Sequence, residues 1–224
     1  MKKTIVLMLA VTGILTSAYS QTATQVDALG GTTFGIRAGV NFQNLNGKDF
    51  EDDDLDNKML VGFNIGANAE IPIAQDFYVQ PGLLFSTKGA KLDDETDVKV
   101  KLSYLEIPIN LLYKPVLGDG KLLLGFGPYL AFALGGKVTD GDNDLDIEFE
   151  KEISQDQAGS FTPYFKRMDA GANLLVGYEL SSRISAQLNA QLGLVNINPE
   201  VTGLDDDDSK TKNTGFGISI GYRF

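Results

Sequence analysis

The chemistry open to this chain is limited first by the side chains it lacks. It has no histidine and no cysteine, so Ser-His-Asp triads, Cys-His dyads and the common zinc sites cannot be assembled. Carboxylate chemistry remains, with 30 Asp and Glu against 19 Lys and Arg. A carboxyl pair works as acid and base only when two different environments separate its pKa values, and no spacing in the sequence singles out such a pair. The expectation is a protein without a catalytic site and without a cofactor. Two other groupings stand out. Arg37, Glu70, Glu106, Lys114, Arg167, Asp169, Glu179 and Arg223 are single charges set among small polar residues. Acidic runs occupy Asp49 to Asp56, Asp93 to Asp97, Asp140 to Asp156 and Asp205 to Asp208. Within the third run Asp140, Asp142, Asp144 and Asp146 alternate as the first half of a calcium loop does. The Gly and the distal bidentate Glu of an EF-hand are not at their places, so calcium is a weak candidate beside a solvated, mutually repelling surface. A net charge of −11 gives no basic face for nucleic acid, and none is expected as a partner.

The elements that must position these residues are extended. From Asn213 to Phe224, Thr214, Phe216, Ile218, Ile220, Tyr222 and Phe224 fall on one face of a strand, and Gly215, Gly217, Ser219, Gly221 and Arg223 on the other. The same alternation recurs along the chain. It runs through Phe34 to Phe42, Val61 to Ile71, Phe77 to Lys88, Tyr104 to Lys114, Leu122 to Leu134, Met168 to Tyr178 and Ile184 to Leu194. That predicts an all-β fold of about eight strands, each near the length a tilted membrane strand needs. The connections alternate long and short, beginning long. This pattern predicts a closed, antiparallel, up-and-down transmembrane β-barrel with long extracellular loops, short periplasmic turns and both termini in the periplasm.

A soluble barrel of the lipocalin kind would show similar alternation with the apolar face turned inward. The polar faces here are mostly Gly, Asn, Gln and Ser, whereas a strand face in water usually carries more Lys, Glu and Thr. Aromatic residues on the apolar face, among them Phe34, Phe77, Tyr113, Tyr178 and Phe224, sit near strand ends as membrane girdles do. The single charges then face the lumen. An eight-stranded barrel is just wide enough for its own side chains to fill, so the charges are expected to pair as a plug rather than line an ion path. Pro81, Pro108 and Pro128 interrupt three neighbouring strands. They predict local bulges, with a weakened seam as the sharper alternative.

Residues 1–20 have the layout of a secretory signal peptide: Lys2 and Lys3, an apolar run from Ile5 to Ile14, then Ala18-Tyr19-Ser20. The run falls short of the roughly 20 residues that span a bilayer. Residues 21–32 read as a periplasmic lead-in and 33–224 as the barrel domain.

Tyr104-Leu105-Glu106-Ile107-Pro108, Gly127-Pro128-Tyr129-Leu130, Asp169-Ala170-Gly171 and the aromatic end resemble the PorT-like outer-membrane β-barrel family of Gram-negative bacteria. The resemblance implies a small barrel of the cell outer membrane, most of whose kin have no known activity and one of which is linked to protein secretion. It also implies that Tyr222 and Phe224 form the C-terminal signal read by the barrel-assembly machinery. With the acidic runs in the extracellular loops, the reading is a structural, adhesive or partner-binding surface protein that acts through those loops. Its partners are outer-membrane lipid and an extracellular or secretion-system protein. A minor porin and a barrel component of a secretion apparatus are the alternatives.

Overall fold

The computed structural model describes residues 30–48, 53–92, 98–203 and 209–224. The signal-peptide reading, most of the lead-in, Asp93 to Asp97, Asp205 to Asp208 and part of the first acidic run lie outside them. Eight long strands carry the fold: β1 (Thr33–Lys48), β2 (Lys58–Ala74), β3 (Phe77–Lys91), β4 (Val98–Tyr113), β6 (Gly120–Asp140), β11 (Met168–Glu179), β12 (Ile184–Gly193) and β14 (Lys210–Arg223). Each pairs antiparallel with the next in the chain, and β14 returns to β1, with Ile36 opposite Tyr222 and Phe42 opposite Phe216. The sheet is therefore a closed barrel with no free edge, as hydrocarbon requires.

The apolar alternation faces outward. Phe34, Ile65, Phe126, Leu174, Leu188 and Ile220 are all more than half exposed, which excludes the inward-facing arrangement of a soluble barrel. Phe77 stacks on Tyr113 at 4.7 Å between ring centroids near the short-turn end. Phe42 stacks on Phe216 at 5.2 Å and Phe63 lies 5.6 Å from Phe85 toward the long-loop end. Cross-strand aromatic pairs of this kind fasten neighbouring strands as well as marking the two rims of an apolar belt.

Several strands run beyond the expected membrane length. β6 continues to Asp140 and turns at Gly141, with φ of +57°, into β7 (Asn143–Asp146). The predicted long loop after β6 is in fact structured. β8 (Glu148–Phe149) pairs in parallel with β10 (Tyr164–Phe165), and β9 (Glu152–Ile153) pairs with β13 (Glu200–Val201). Between them a single-turn helix, α1 (Gln155–Ala158), is closed by a reciprocal Ser154/Gln157 capping box. A two-residue strand, β5 (Val116–Leu117), folds back on β6 at the opposite end.

Pro81, Pro108 and Pro128 do not make bulges. Pairing between β2 and β3 shifts register at Met59/Asn64 and Pro72/Ala74, and between β4 and β6 at Ser103/Tyr104. At the three strand prolines the register is unchanged, but rungs are skipped. The ladder passes from Asn68–Gly82 to Ile71–Val79, from Pro81–Ile109 to Leu84–Glu106, and from Pro108–Tyr129 to Leu111–Phe126. A proline removes a donor without inserting a residue, so the rung is lost while the count is kept.

The filled lumen and the long-loop platform

The lumen charges sort into two clusters at different heights along the barrel, and β11 contributes to both. Nearest the short-turn end, Glu70 on β2 accepts Lys114 at 2.6 Å, Arg223 of β14 at 2.6 Å and the Gln80 amide of β3 at 3.2 Å. Lys114 also reaches Glu179 of β11 at 3.0 Å. Two cations and two carboxylates are thus paired together on side chains that are almost wholly buried, although Nε and Nη1 of Arg223 find no hydrogen-bond partner. Removing Glu70 would leave Arg223 without its carboxylate, which is the situation that makes buried pairs costly to break.

The second cluster lies further up the barrel around Lys88, whose ammonium contacts Glu106 at 2.9 Å and Asp169 at 3.2 Å. It also lies 4.3 Å above the Tyr129 ring. Asp169 Oδ2 accepts from the Tyr129 hydroxyl at 3.2 Å and from Asn213 at 2.9 Å, while Gln191 donates to Glu106 at 2.9 Å. Arg37 donates to Asn189 at 3.4 Å and lines a small polar void of 30 Å³ that Glu106 also faces.

Seven of the eight expected lumen charges are therefore inside. Arg167 is not: it sits one residue before β11 begins, is exposed, donates to the Ala133 carbonyl at 3.2 Å and lies over the Phe149 ring at 4.8 Å. Strand alternation aims a side chain only where the ladder extends, and Arg167 lies just beyond it. Conversely Lys88, the centre of the upper cluster, is absent from the expected set. Its place on the inner face of β3, in step with Gln80 and Ser86, is the signal that would have found it.

The inner face is also less polar than expected. Leu45, Val100, Leu102, Tyr104, Ala133, Ile147 and Ile197 pack together at the long-loop end. Ile147 and Ile197 come from loops, not from barrel strands, and Ile197 is fully buried with its N–H on the Thr211 carbonyl. Leu112, Leu123 and Leu175 form a second apolar group lower down. The barrel is filled at these levels. The short-turn end opens into a cup of 570 Å³ lined by Lys114, Glu179, Arg183 and Arg223 among others.

Asp140, Asp142, Asp144 and Asp146 do not converge. They lie along the β6–β7 hairpin, where Asp144 accepts from Thr139 at 2.8 Å and from Lys137 at 3.2 Å. Those bonds hold its carboxyl below the ordinary value. Among the described residues no three acidic side chains are grouped to hold a metal ion. Tyr222 and Phe224 both point outward, edge to face at 5.4 Å, and the Phe224 N–H bonds the Phe34 carbonyl at 2.8 Å.

The chain matches the sequence profile of the family described as outer membrane protein beta-barrel domain over residues 19–198, and it belongs to that family. No curated protein matches it. Among solved structures it overlaps the Neisserial surface protein A at 12% identity and a TM-score of 0.46, covering 87% of this chain and 100% of that one. It overlaps the attachment invasion locus protein Ail of Yersinia pestis at 13% and 0.42, with the same coverage. For the outer membrane protein OprG of Pseudomonas aeruginosa the values are 16% and 0.44, over 87% and 96%. The family match and the closed sheet together make the protein a small eight-stranded barrel of the outer membrane.

Proposed function

We propose that this outer-membrane barrel is a structural and partner-binding surface protein without a catalytic site, whose acidic long-loop end faces the cell exterior and whose termini face the periplasm. One contrast supports the reading. The bore is filled by ion clusters and by an apolar stopper reaching down from the loops, while the loops themselves are built into a hydrogen-bonded platform. Structure is concentrated where a partner would meet the protein, not along a path through it. The orientation follows the usual arrangement of such barrels, with short turns on the periplasmic side. Residues 1–20 are then the cleaved export signal, and Tyr222 with Phe224 the address for the assembly machinery.

Three measurements test this. On intact cells, a cysteine placed at exposed Phe161 is labelled by a membrane-impermeant maleimide; labelling only after lysis would reverse the orientation. In planar bilayers the purified barrel is silent; steady conductance would favour the porin alternative. Phe224→Asp reduces the heat-modifiable folded barrel in the outer membrane, and wild-type levels would remove the assembly role.

A second reading, the barrel component of a secretion apparatus, is favoured by one observation. The three short motifs resembling the PorT-like family meet in space, with Glu106, Tyr129 and Asp169 all gathered around Lys88. Cross-linking in outer membranes that recovers the barrel alone would set this reading aside.

A further inference from the structure

The platform carries an apolar concavity. Ile153 of β9, Ala158 of α1, Tyr164 of β10, Pro199 and Val201 of β13 line a cleft of 190 Å³ with a polar rim. This is smaller than the roughly 300–1,000 Å³ typical of a small-molecule or cofactor site, and it suits a single side chain. Its floor is tied down on both sides. Ile153 and Val201 are paired in the parallel β9–β13 bridge, and the Thr202 N–H bonds the Ile153 carbonyl at 2.8 Å. At the lip, next to Thr162, Phe161 is 95% exposed on a turn held by Ser160 Oγ donating to the Gln157 carbonyl at 2.7 Å. A large aromatic held in water beside a preformed hole is the arrangement in which interface anchors are found.

Charge selects the occupant. From Lys137 to Lys166 three lysines face eight carboxylates, a net charge of −5. Such a surface repels anionic lipid headgroups and nucleic acid and draws cations, with the effect strongest at low salt. We infer that the cleft docks an extended cationic segment of a partner protein. One aliphatic side chain of that segment seats on the paired Ile153 and Val201, and its flanking lysines or arginines meet carboxylates of the same loop such as exposed Asp156. This rests on the partner-binding reading of the long-loop end and names the chemistry of the partner.

The test uses the full-length barrel in zwitterionic nanodiscs and fluorescein-labelled heptapeptides read by polarisation. The first peptide is Gly-Lys-Lys-Leu-Lys-Lys-Gly, the second has Ala for Leu, and the third has Glu for every Lys. The Leu peptide is expected to bind at least about tenfold tighter than the Ala peptide, and the Glu peptide not at all. Ala158→Trp, on an exposed rim position, fills the cleft without touching the β9–β13 bridge and erases the Leu-over-Ala difference. Asp156→Asn weakens both cationic peptides alike. Equal affinity for the Leu and Ala peptides would overturn the cleft as an anchor site while leaving the acidic partner-binding surface standing. Failure of both cationic peptides to exceed the Glu peptide would overturn the inference and the acidic-loop reading together. Equal binding to protein-free nanodiscs would assign the signal to lipid and overturn it as well.

Discussion

The barrel has two unlike walls. Along β11, β12, β14 and β1 the ladders run without a skipped rung, and so do those that join this wall to β2 and β6. Its inner face is dense with glycine, and the strands lie so close that added side chains have no room. A Cβ on Gly39 would stand 2.4 Å from the Ile218 carbonyl oxygen and one on Gly217 2.8 Å from that of Val40. Across β2, β3, β4 and β6 the ladder is broken at three places that step from strand to strand beside Pro81, Pro108 and Pro128. The first break leaves Glu70 and Gln80 without a backbone rung, and there the two side chains bond each other instead, at 3.2 Å. Asn110 donates to Gln80 at 3.4 Å and extends the link to β4. One wall is held by backbone, the other partly by the polar side chains inside it. Glu70 joins the two, because it also holds Arg223 on β14.

Removing that joint is the largest perturbation available. Glu70→Ala strips Arg223 of its carboxylate and leaves Lys114 with Glu179 alone, and it is expected to cost about 3 kcal/mol or more, read from urea unfolding of the barrel in lipid vesicles. A loss under about 1 kcal/mol would mean the cluster is solvated rather than clamped. Tolerance of a methyl group should also differ between an intact rung and the break at Pro108, although elsewhere on the broken wall a Cβ on Gly66 or Gly127 would likewise meet backbone oxygen, at 2.2 and 2.0 Å. Gly39→Ala pushes a Cβ against backbone and should cost about 1–3 kcal/mol. Gly82→Ala meets first the flexible edge of the Pro108 ring at 3.1 Å and should cost less than about 1 kcal/mol. Equal losses would erase the distinction. Amide hydrogen exchange reads it directly: the amides that face the three prolines, at Ala69, Gly82 and Ile109, are expected to exchange about tenfold faster than those from Ile36 to Phe42. Equal protection would show that the side-chain bonds fully replace the rungs. The smallest effect is a gain. Pro128→Ala, at an exposed outward position, returns a donor to the broken wall and should stabilise by about 1 kcal/mol.

Much of this was readable from residue order alone. Alternation with a period of two named the eight strands, the outward apolar face and seven of the lumen charges, because side-chain direction in a strand follows parity and nothing else. The pairing of the last strand with the first follows from closure, since a barrel in hydrocarbon can leave no edge. Parity fails where the ladder ends, which is why Arg167 turns out to the rim while Lys88, still within β3, lies buried at the heart of the upper cluster. Alternation says that a charge faces inward, not which opposite charge it will meet. That depends on the stagger of strands far apart in sequence, and it set Glu70 against Arg223 and Lys88 against Asp169. The apolar stopper was equally hidden, because Ile197 is an ordinary loop residue until chain closure brings it over the mouth. The acidic run from Asp140 to Asp156 shows as charge in the sequence; only pairing with a second loop turns it into a platform with a cleft. Sequence determined the faces of the strands through local geometry. The tertiary structure decided the partners, since each comes from a contact between strands or loops that are distant along the chain.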